Sequence, residues 1–261
     1  ILQYLLMVQI FYHFEMNAAD VNDKIVNWNT QGYLVGTEDE EISGLGLVVF
    51  NGRLWIFNKQ RLWYSSTGTC YDFNNSTVAS TDPDITTLAG YIEFSKNITA
   101  IHEYLGSLAV FHADSSVLLK VDSNNNFSKE EESPGGCAGY NALIFHGTDL
   151  FFYDDTKKGV FSFKQVVNGD KTLSDNLAID IYSELLDLNP KDLDKIKTLS
   201  VVTSDRNEIW WILPKESTYT VSEEQKDASI ILIFDYLNGE WIKRKSQKIN
   251  SVRMIDNELY S

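Results

Sequence analysis

Positive charge is scarce in this chain. Its 261 residues include 22 Lys and Arg against 37 Asp and Glu, which gives a formal net charge of −15. Proteins that bind nucleic acids tightly use clustered cations to neutralise phosphates and release counterions, so this balance disfavours a DNA-binding role. The excess of negative charge favours solubility, and it also predicts a surface along which a polyanion passes without adhering.

Cysteine, proline and long apolar runs are also scarce. Cys70 and Cys137 allow one disulfide but no disulfide framework, and we expect two reduced thiols in a protein assembled in a reducing cytoplasm. Residues 1–14 are apolar but too short, and too interrupted by polar residues, to span a bilayer. They also lack the basic region and the cleavage site of a signal peptide. No membrane span is therefore expected.

Motifs that carry chemistry are missing. The chain has neither a glycine-rich phosphate loop nor an H-E-x-x-H helix. The four histidines are scattered. Of these, His102 and His112 flank one predicted hairpin and could approach each other, but histidines satisfied within a sheet are the stronger interpretation. We therefore predict no enzyme activity, no catalytic residues, no cofactor and no metal.

Two sets of residues leave an alternative open, namely an extracellular propeller that binds or cleaves glycans. Such glycosidases need carboxylates that converge on a funnel, whereas turn aspartates are expected in any β protein. The candidates are Asp114, Asp154, Asp205 and Asp235. Tryptophans could stack on sugars, but four of the six lie in apolar strand segments and are expected to pack between sheets. The six are Trp28, Trp55, Trp63, Trp210, Trp211 and Trp241.

The most informative feature that is present is a phrase repeated five times. Each copy contains an apolar strand, a tight turn, and a second strand that begins with Leu or Ile and is aromatic in most copies. Successive copies are 42 to 59 residues apart, which is the period of propeller blades. The copies are Leu47–Phe57, Ile101–Phe111, Leu143–Tyr153, Leu199–Trp211 and Val252–Tyr260.

Further strands follow the repeated hairpins. Short β-branched or aromatic segments predict third strands at Arg61–Ser65, Val117–Val121, Gly159–Phe163 and Ile230–Asp235. Asn238-Gly239 predicts a two-residue hairpin turn before a returning strand at Trp241–Arg244. The fold class is therefore an all-β propeller of four-stranded antiparallel blades, with about four blades and the start of another. The pair Asn189-Pro190 predicts a short helical insert near residues 183–197.

The organisation along the chain follows from these elements. Residues 1–41 form an N-terminal segment, expected to supply strands of a preceding blade or domain, and residues 42–261 form the propeller region. The polar, turn-rich stretches Tyr71–Lys96 and Ser123–Gly136 predict long surface loops. The basic run Lys243–Lys245 predicts an edge strand protected against pairing. Because the chain begins with Ile and the last repeat stops early, we expect a segment of a longer polypeptide.

In their order, these phrases resemble the propeller region of bacteriophage tail proteins of the nozzle, tubular or packaged-DNA-stabilisation type. The resemblance covers about residues 42–261. It is specific in the order and phrasing of the motifs, since each motif alone occurs in any propeller. The motifs include Asn51–Phe57 followed by Arg61–Thr67 and Tyr71–Phe73, the insert before Ile209–Trp211, and the hairpin Ile233–Trp241.

The resemblance implies a virion component of the tail, located below the portal and adaptor and assembled in the host cytoplasm. It implies a homo-oligomer, expected to be a six-copy ring, that contacts the adaptor and a tail fibre or spike. Through this ring DNA passes without sequence-specific binding. The resemblance implies no catalytic residues, because such proteins work by assembly.

Overall fold

The computed structural model describes residues 44–67, 73, 89–122, 126–130, 132–165, 176–186, 196–203, 206–214, 229–245, 253–255 and 258–260. Within these residues, strands β1 to β18 account for nearly all regular structure and the helices are short. Neighbouring stretches of chain form successive antiparallel sheets, which is the blade organisation of a β-propeller. The all-β propeller class predicted from the repeat is confirmed. The N-terminal segment 1–41 lies outside the described residues.

The first sheet has four antiparallel strands in chain order. They are β1 (Gly46–Phe50), β2 (Arg53–Asn58), β3 (Arg61–Tyr64) and β4 (Gly90–Glu93). Asn51 and Gly52 form the turn between β1 and β2, with φ angles of 49° and 68°. These left-handed values belong to the turn whose twist matches that of the flanking strands, and Asn-Gly is its preferred sequence. The hairpin predicted for the first repeat is therefore present.

The second sheet has five strands. They are β5 (Ala100–Tyr104), β6 (Ser107–Phe111), β7 (Ser115–Val121), β8 (Phe127–Lys129) and β9 (Ser133–Pro134). Both β8 and β9 pair with β7, so a short fifth strand is added to the four-strand path. All five residues of β6 are buried, which is expected of a strand covered on both faces.

The third and fourth sheets repeat the same order. The third contains three described strands, one fewer than predicted, and the fourth contains four. They are β10 (Leu143–His146), β11 (Asp149–Asp154) and β12 (Gly159–Ser162), then β13 (Lys197–Val202), β14 (Asn207–Pro214), β15 (Ser229–Asp235) and β16 (Glu240–Lys245). The fifth repeat is a hairpin of β17 (Arg253–Ile255) and β18 (Glu258–Tyr260). Four sheets and the start of another are therefore present, as predicted.

Within the described residues, helical structure is confined to four short segments. Two are 3₁₀ helices, Tyr140–Ala142 and Ile179–Ile181, and two are α-helical, α1 (Phe163–Gln165) and α2 (Tyr182–Leu186). The predicted insert near 183–197 is confirmed in part by α2, whereas Lys197 already belongs to strand β13. Asn189 and Pro190 lie outside the described residues. No helix in the described part of the chain is long and apolar enough to cross a membrane.

Three local predictions were wrong. The stretches predicted as loops contain strands β4, β8 and β9, because short polar segments still complete a sheet when a neighbouring strand offers backbone partners. The turn after β15 has four residues rather than two, and of these four only Gly239 has a positive φ, at 71°. The carboxylate of Asp235 accepts hydrogen bonds from the backbone N–H groups of Leu237 and Asn238, which stabilises the longer turn.

The chain divides into two compact units. The first comprises Ile1–Ala109 and Leu118–Glu130, and the second comprises Val110–Val117 and Glu131–Ser261. Within the first unit β1 lies beside β5, and within the second β10 lies beside β13. In each case the first strand of one sheet meets the first strand of the next, as in neighbouring propeller blades.

Candidate functional site

A buried imidazole, that of His146, lies at the junction between the third and fourth sheets. This residue ends strand β10, and its side chain is 1% exposed. Its ring packs edge-on against Tyr236, with a centroid distance of 5.0 Å, and against Phe151 at 6.4 Å. Apolar neighbours on two sides hold the imidazole in one orientation, so its two nitrogens face fixed partners.

Both nitrogens of His146 are hydrogen-bonded to the fourth sheet. Nε2 lies 2.5 Å from Oδ1 of Asn207, and Nδ1 lies 2.8 Å from Oγ of Ser200. Because an amide oxygen only accepts, Nε2 carries the proton and donates it, and the Ser200 hydroxyl donates to Nδ1. Burial lowers the pKa of His146, an effect partly offset by the bond to Asn207. The neutral imidazole therefore joins β10 to both β13 and β14.

A second contact between the same strands lies nearby. The hydroxyl of Thr198 in β13 donates to the carbonyl oxygens of Asn141 and Leu143, at 2.9 Å and 3.1 Å. Within the fourth sheet, the backbone N–H of Tyr236 donates to the carbonyl of Asn207, at 2.9 Å. The bonds from His146 to Ser200 and from Thr198 to Leu143 thus connect β10 to β13 at two points.

The order serine, histidine, asparagine is that of a nucleophile, its base and the group that orients the base. The chemistry available here is therefore proton transfer from Ser200 to His146. Acyl transfer additionally needs donors directed at a developing oxyanion. The bonds described above instead use every polar atom of the imidazole to connect strands. We therefore interpret the cluster of His146, Ser200 and Asn207 as a structural joint, that is, a set of hydrogen bonds that connects the third sheet to the fourth. Sequence reasoning missed it, because Ser200 and Asn207 are 54 and 61 residues from His146.

The described carboxylates that were considered for glycan cleavage accept hydrogen bonds at separate positions in the fold. Asp154, completely buried, accepts hydrogen bonds from the backbone N–H groups of Thr156, Lys157 and Gly136. Asp235 accepts from the side-chain amide of Asn238 and from the turn backbone, and these bonds lower its pKa. Asp114, which is exposed, accepts from the Ser115 hydroxyl at 3.0 Å. Asp205 lies outside the described residues. Asp154 and Asp235 therefore act as turn caps, whereas Asp114 bonds to a neighbouring side chain.

One buried carboxylate was not singled out from the sequence. Asp149 begins β11 and is 4% exposed. It accepts hydrogen bonds from the Ser162 hydroxyl and from the backbone N–H groups of Leu150 and Lys164, at 2.8 Å and 2.7 Å. Burial raises its pKa, while the hydrogen bonds act in the opposite direction. Its bonds connect β11 to the chain after β12, which is a structural role.

A buried arginine was also missed. Arg53 begins β2 and is 2% exposed, and its Nη1 donates to the carbonyl of Ser65 at 2.6 Å. Its guanidinium lies 5.0 Å from the ring centroid of Tyr64 and 5.9 Å from that of Phe127. Desolvation lowers its pKa. Aromatic faces stabilise the buried cation here, and the flat guanidinium fills the space between them.

The tryptophans lie in the packing between strands rather than in an open funnel. Trp55, Trp63, Trp210 and Trp211 are at most 8% exposed, so the packing interpretation is confirmed for these four. Trp210 and Trp211 are neighbours whose side chains lie on opposite faces of β14, and both are buried because both faces of this strand are covered. The ring of Trp241 contacts that of Trp211, with a centroid distance of 5.5 Å and a tilt of 44° between the ring planes. Trp28 lies outside the described residues.

Histidines and cysteines form no cluster where the structure describes them. In that part of the chain, no group of three or more His, Cys, Asp or Glu side chains could hold a metal ion. His102 bonds through Nδ1 to the carbonyl of Glu103 at 2.7 Å, and His112 is buried at 2% exposure. Cys137 is a free thiol whose pKa burial raises to about 12. Cys70 lies outside the described residues.

The exposed surface carries apolar side chains and one basic strand. Leu105 is 74% exposed, and Ile179, Tyr182 and Leu186 are 66%, 39% and 50% exposed. Strand β16 lies at the edge of the fourth sheet and exposes Lys243 and Arg244, as predicted for a protected edge.

No protein-family model matches the chain, and no curated protein matches it. Among solved structures, it is similar to a quinoprotein alcohol dehydrogenase-like protein from Bacteroides thetaiotaomicron, with 11% identity, a TM-score of 0.41, and coverage of 77% of this chain and 45% of the other. It is also similar to the N-terminal domain of Nup159, with 7% identity, a TM-score of 0.38, and coverage of 84% and 54%.

A third similar structure is described as S. cerevisiae Dbp5 bound to Nup159, Gle1, IP6 and ADP, with 8% identity, a TM-score of 0.37, and coverage of 84% and 54%. The chain thus spans about half the length of the solved structures that it matches.

Proposed function

We propose that this protein is a non-catalytic structural component of a bacteriophage tail, whose propeller region self-associates into a ring around the DNA channel. The proposal rests on the ordered resemblance over residues 42–261. It is supported by how the described side chains are used. A glycan-active propeller would direct carboxylates and tryptophans at a ligand. The described carboxylates instead accept hydrogen bonds within the chain and the described tryptophans pack between strands, whereas other large apolar side chains remain at the surface.

The observation that carries the assembly role is this apolar exposure. Four large apolar side chains are exposed in a single copy, although fully burying a side chain of this kind contributes about 1.5–3 kcal/mol. They are Leu105, Ile179, Tyr182 and Leu186. Exposed apolar side chains that lie together mark a surface that another protein can cover. They therefore fit a subunit that assembles better than one that acts alone.

The charge supports a passive conduit. A net charge of −15 opposes the retention of phosphates, because each adsorbed strand would meet repulsion rather than release of counterions. A genome could then pass or be held by closure of the ring without binding to its wall.

The direct test is the oligomeric state of the full 261-residue chain. We expect light scattering after size exclusion to give a closed oligomer at high protein concentration, and negative-stain electron microscopy to show rings with a central opening. Immunogold labelling of virions should place the protein at the tail. A monomer at every concentration, with no virion label, would rule out the proposal.

Two further measurements separate this role from the glycan alternative. Binding to duplex DNA should be undetectable even at low salt, where electrostatic binding is strongest. Glycan arrays and hydrolysis assays should both be negative. Specific retention of a glycan, lost on substitution of an exposed residue, would favour the alternative.

A further inference from the structure

We draw no further inference here: the strongest candidate, the outer edge of strand β16 with its exposed Lys243 and Arg244, carries none, because nothing in the described part of the chain shows what covers it.

Discussion

Replacing His146 with alanine should destabilise the second unit strongly. The substitution removes an imidazole that is 1% exposed, its ring contacts with Phe151 and Tyr236, and its bonds to Ser200 and Asn207. Each hydrogen bond contributes about 1 kcal/mol net. The cavity left by the imidazole ring lowers the stability further. Because Ser200 and Asn207 are only half-buried, water can partly replace their lost hydrogen bonds, which limits the loss. We expect a loss of about 3 kcal/mol.

The same group predicts how stability depends on pH. In the unfolded chain the imidazole titrates near its ordinary value of about 6.5. Burial holds the folded pKa lower. Below about pH 6.5 the unfolded state therefore binds a proton that the folded state does not, and the free energy of unfolding decreases as the pH falls towards the folded pKa. The slope for one group is at most about 1.4 kcal/mol per pH unit.

The assay is urea unfolding of wild type, His146→Ala and His146→Gln between pH 5 and pH 8. His146→Gln should give a flatter pH dependence than wild type. A residual slope is expected from His102, whose pKa burial also lowers. A double-mutant cycle of His146→Ala with Ser200→Ala should give a coupling of about 1 kcal/mol. A loss below about 1 kcal/mol in His146→Ala, or an unchanged slope in His146→Gln, would refute the interpretation of this cluster as a joint.

Three further predictions concern single positions. Gly136→Ala should prevent folding or lower the free energy of unfolding by more than about 3 kcal/mol, because a Cβ there would overlap the backbone of Ala113 and Asp114. Gly106→Ala, with open space around it, should cost only about 1 kcal/mol, which arises from its left-handed backbone. Equal shifts of the melting temperature in the two variants would contradict this. Asp154→Asn should lower the free energy of unfolding, measured in urea, by about 2 kcal/mol, because an amide has one acceptor oxygen where the carboxylate has two for its backbone N–H donors. An unchanged stability would show that this cap is dispensable. Cys137 should resist iodoacetamide at pH 8 until the chain is denatured, because its pKa is raised to about 12, and alkylation of the folded protein at the rate of a free thiol would contradict the buried thiol.

The sequence predicted the conformation of some turns but not of others. Asn51-Gly52 formed the expected two-residue hairpin, because both residues accept left-handed backbone. Asn238-Gly239 did not, since Asp235 three residues earlier captures the N–H groups of a longer turn. Leu105 adopts a left-handed turn that its type disfavours, and the spacing of the strands on either side requires it. Short-range preferences thus decided a turn only where no nearby side chain or strand pairing competed.

The candidate site was harder to predict than the strands. His146 was visible as a histidine at the end of an apolar strand, yet nothing local distinguishes it from His112, which is also buried. Its partners became evident only when β10 lay beside β13. For Asp235 the composition of the turn was sufficient, because its carboxylate bonds to N–H groups within three residues of itself. Asp154 caps its own turn in the same way, but its bond to the N–H of Gly136, 18 residues earlier, could not be read from local composition.

The sequence by itself determined the series of hairpins, their order and the acidic balance, because strand periodicity, turn chemistry and charge are properties of neighbouring residues. Tertiary structure alone decided that both faces of β14 are covered, that Arg53 lies between aromatic rings, and that His146 bonds to two strands of another sheet. It also decided that Leu105 remains outside the core. These outcomes depend on pairs of residues far apart in the chain, and no local preference specifies which distant strand arrives beside a given side chain.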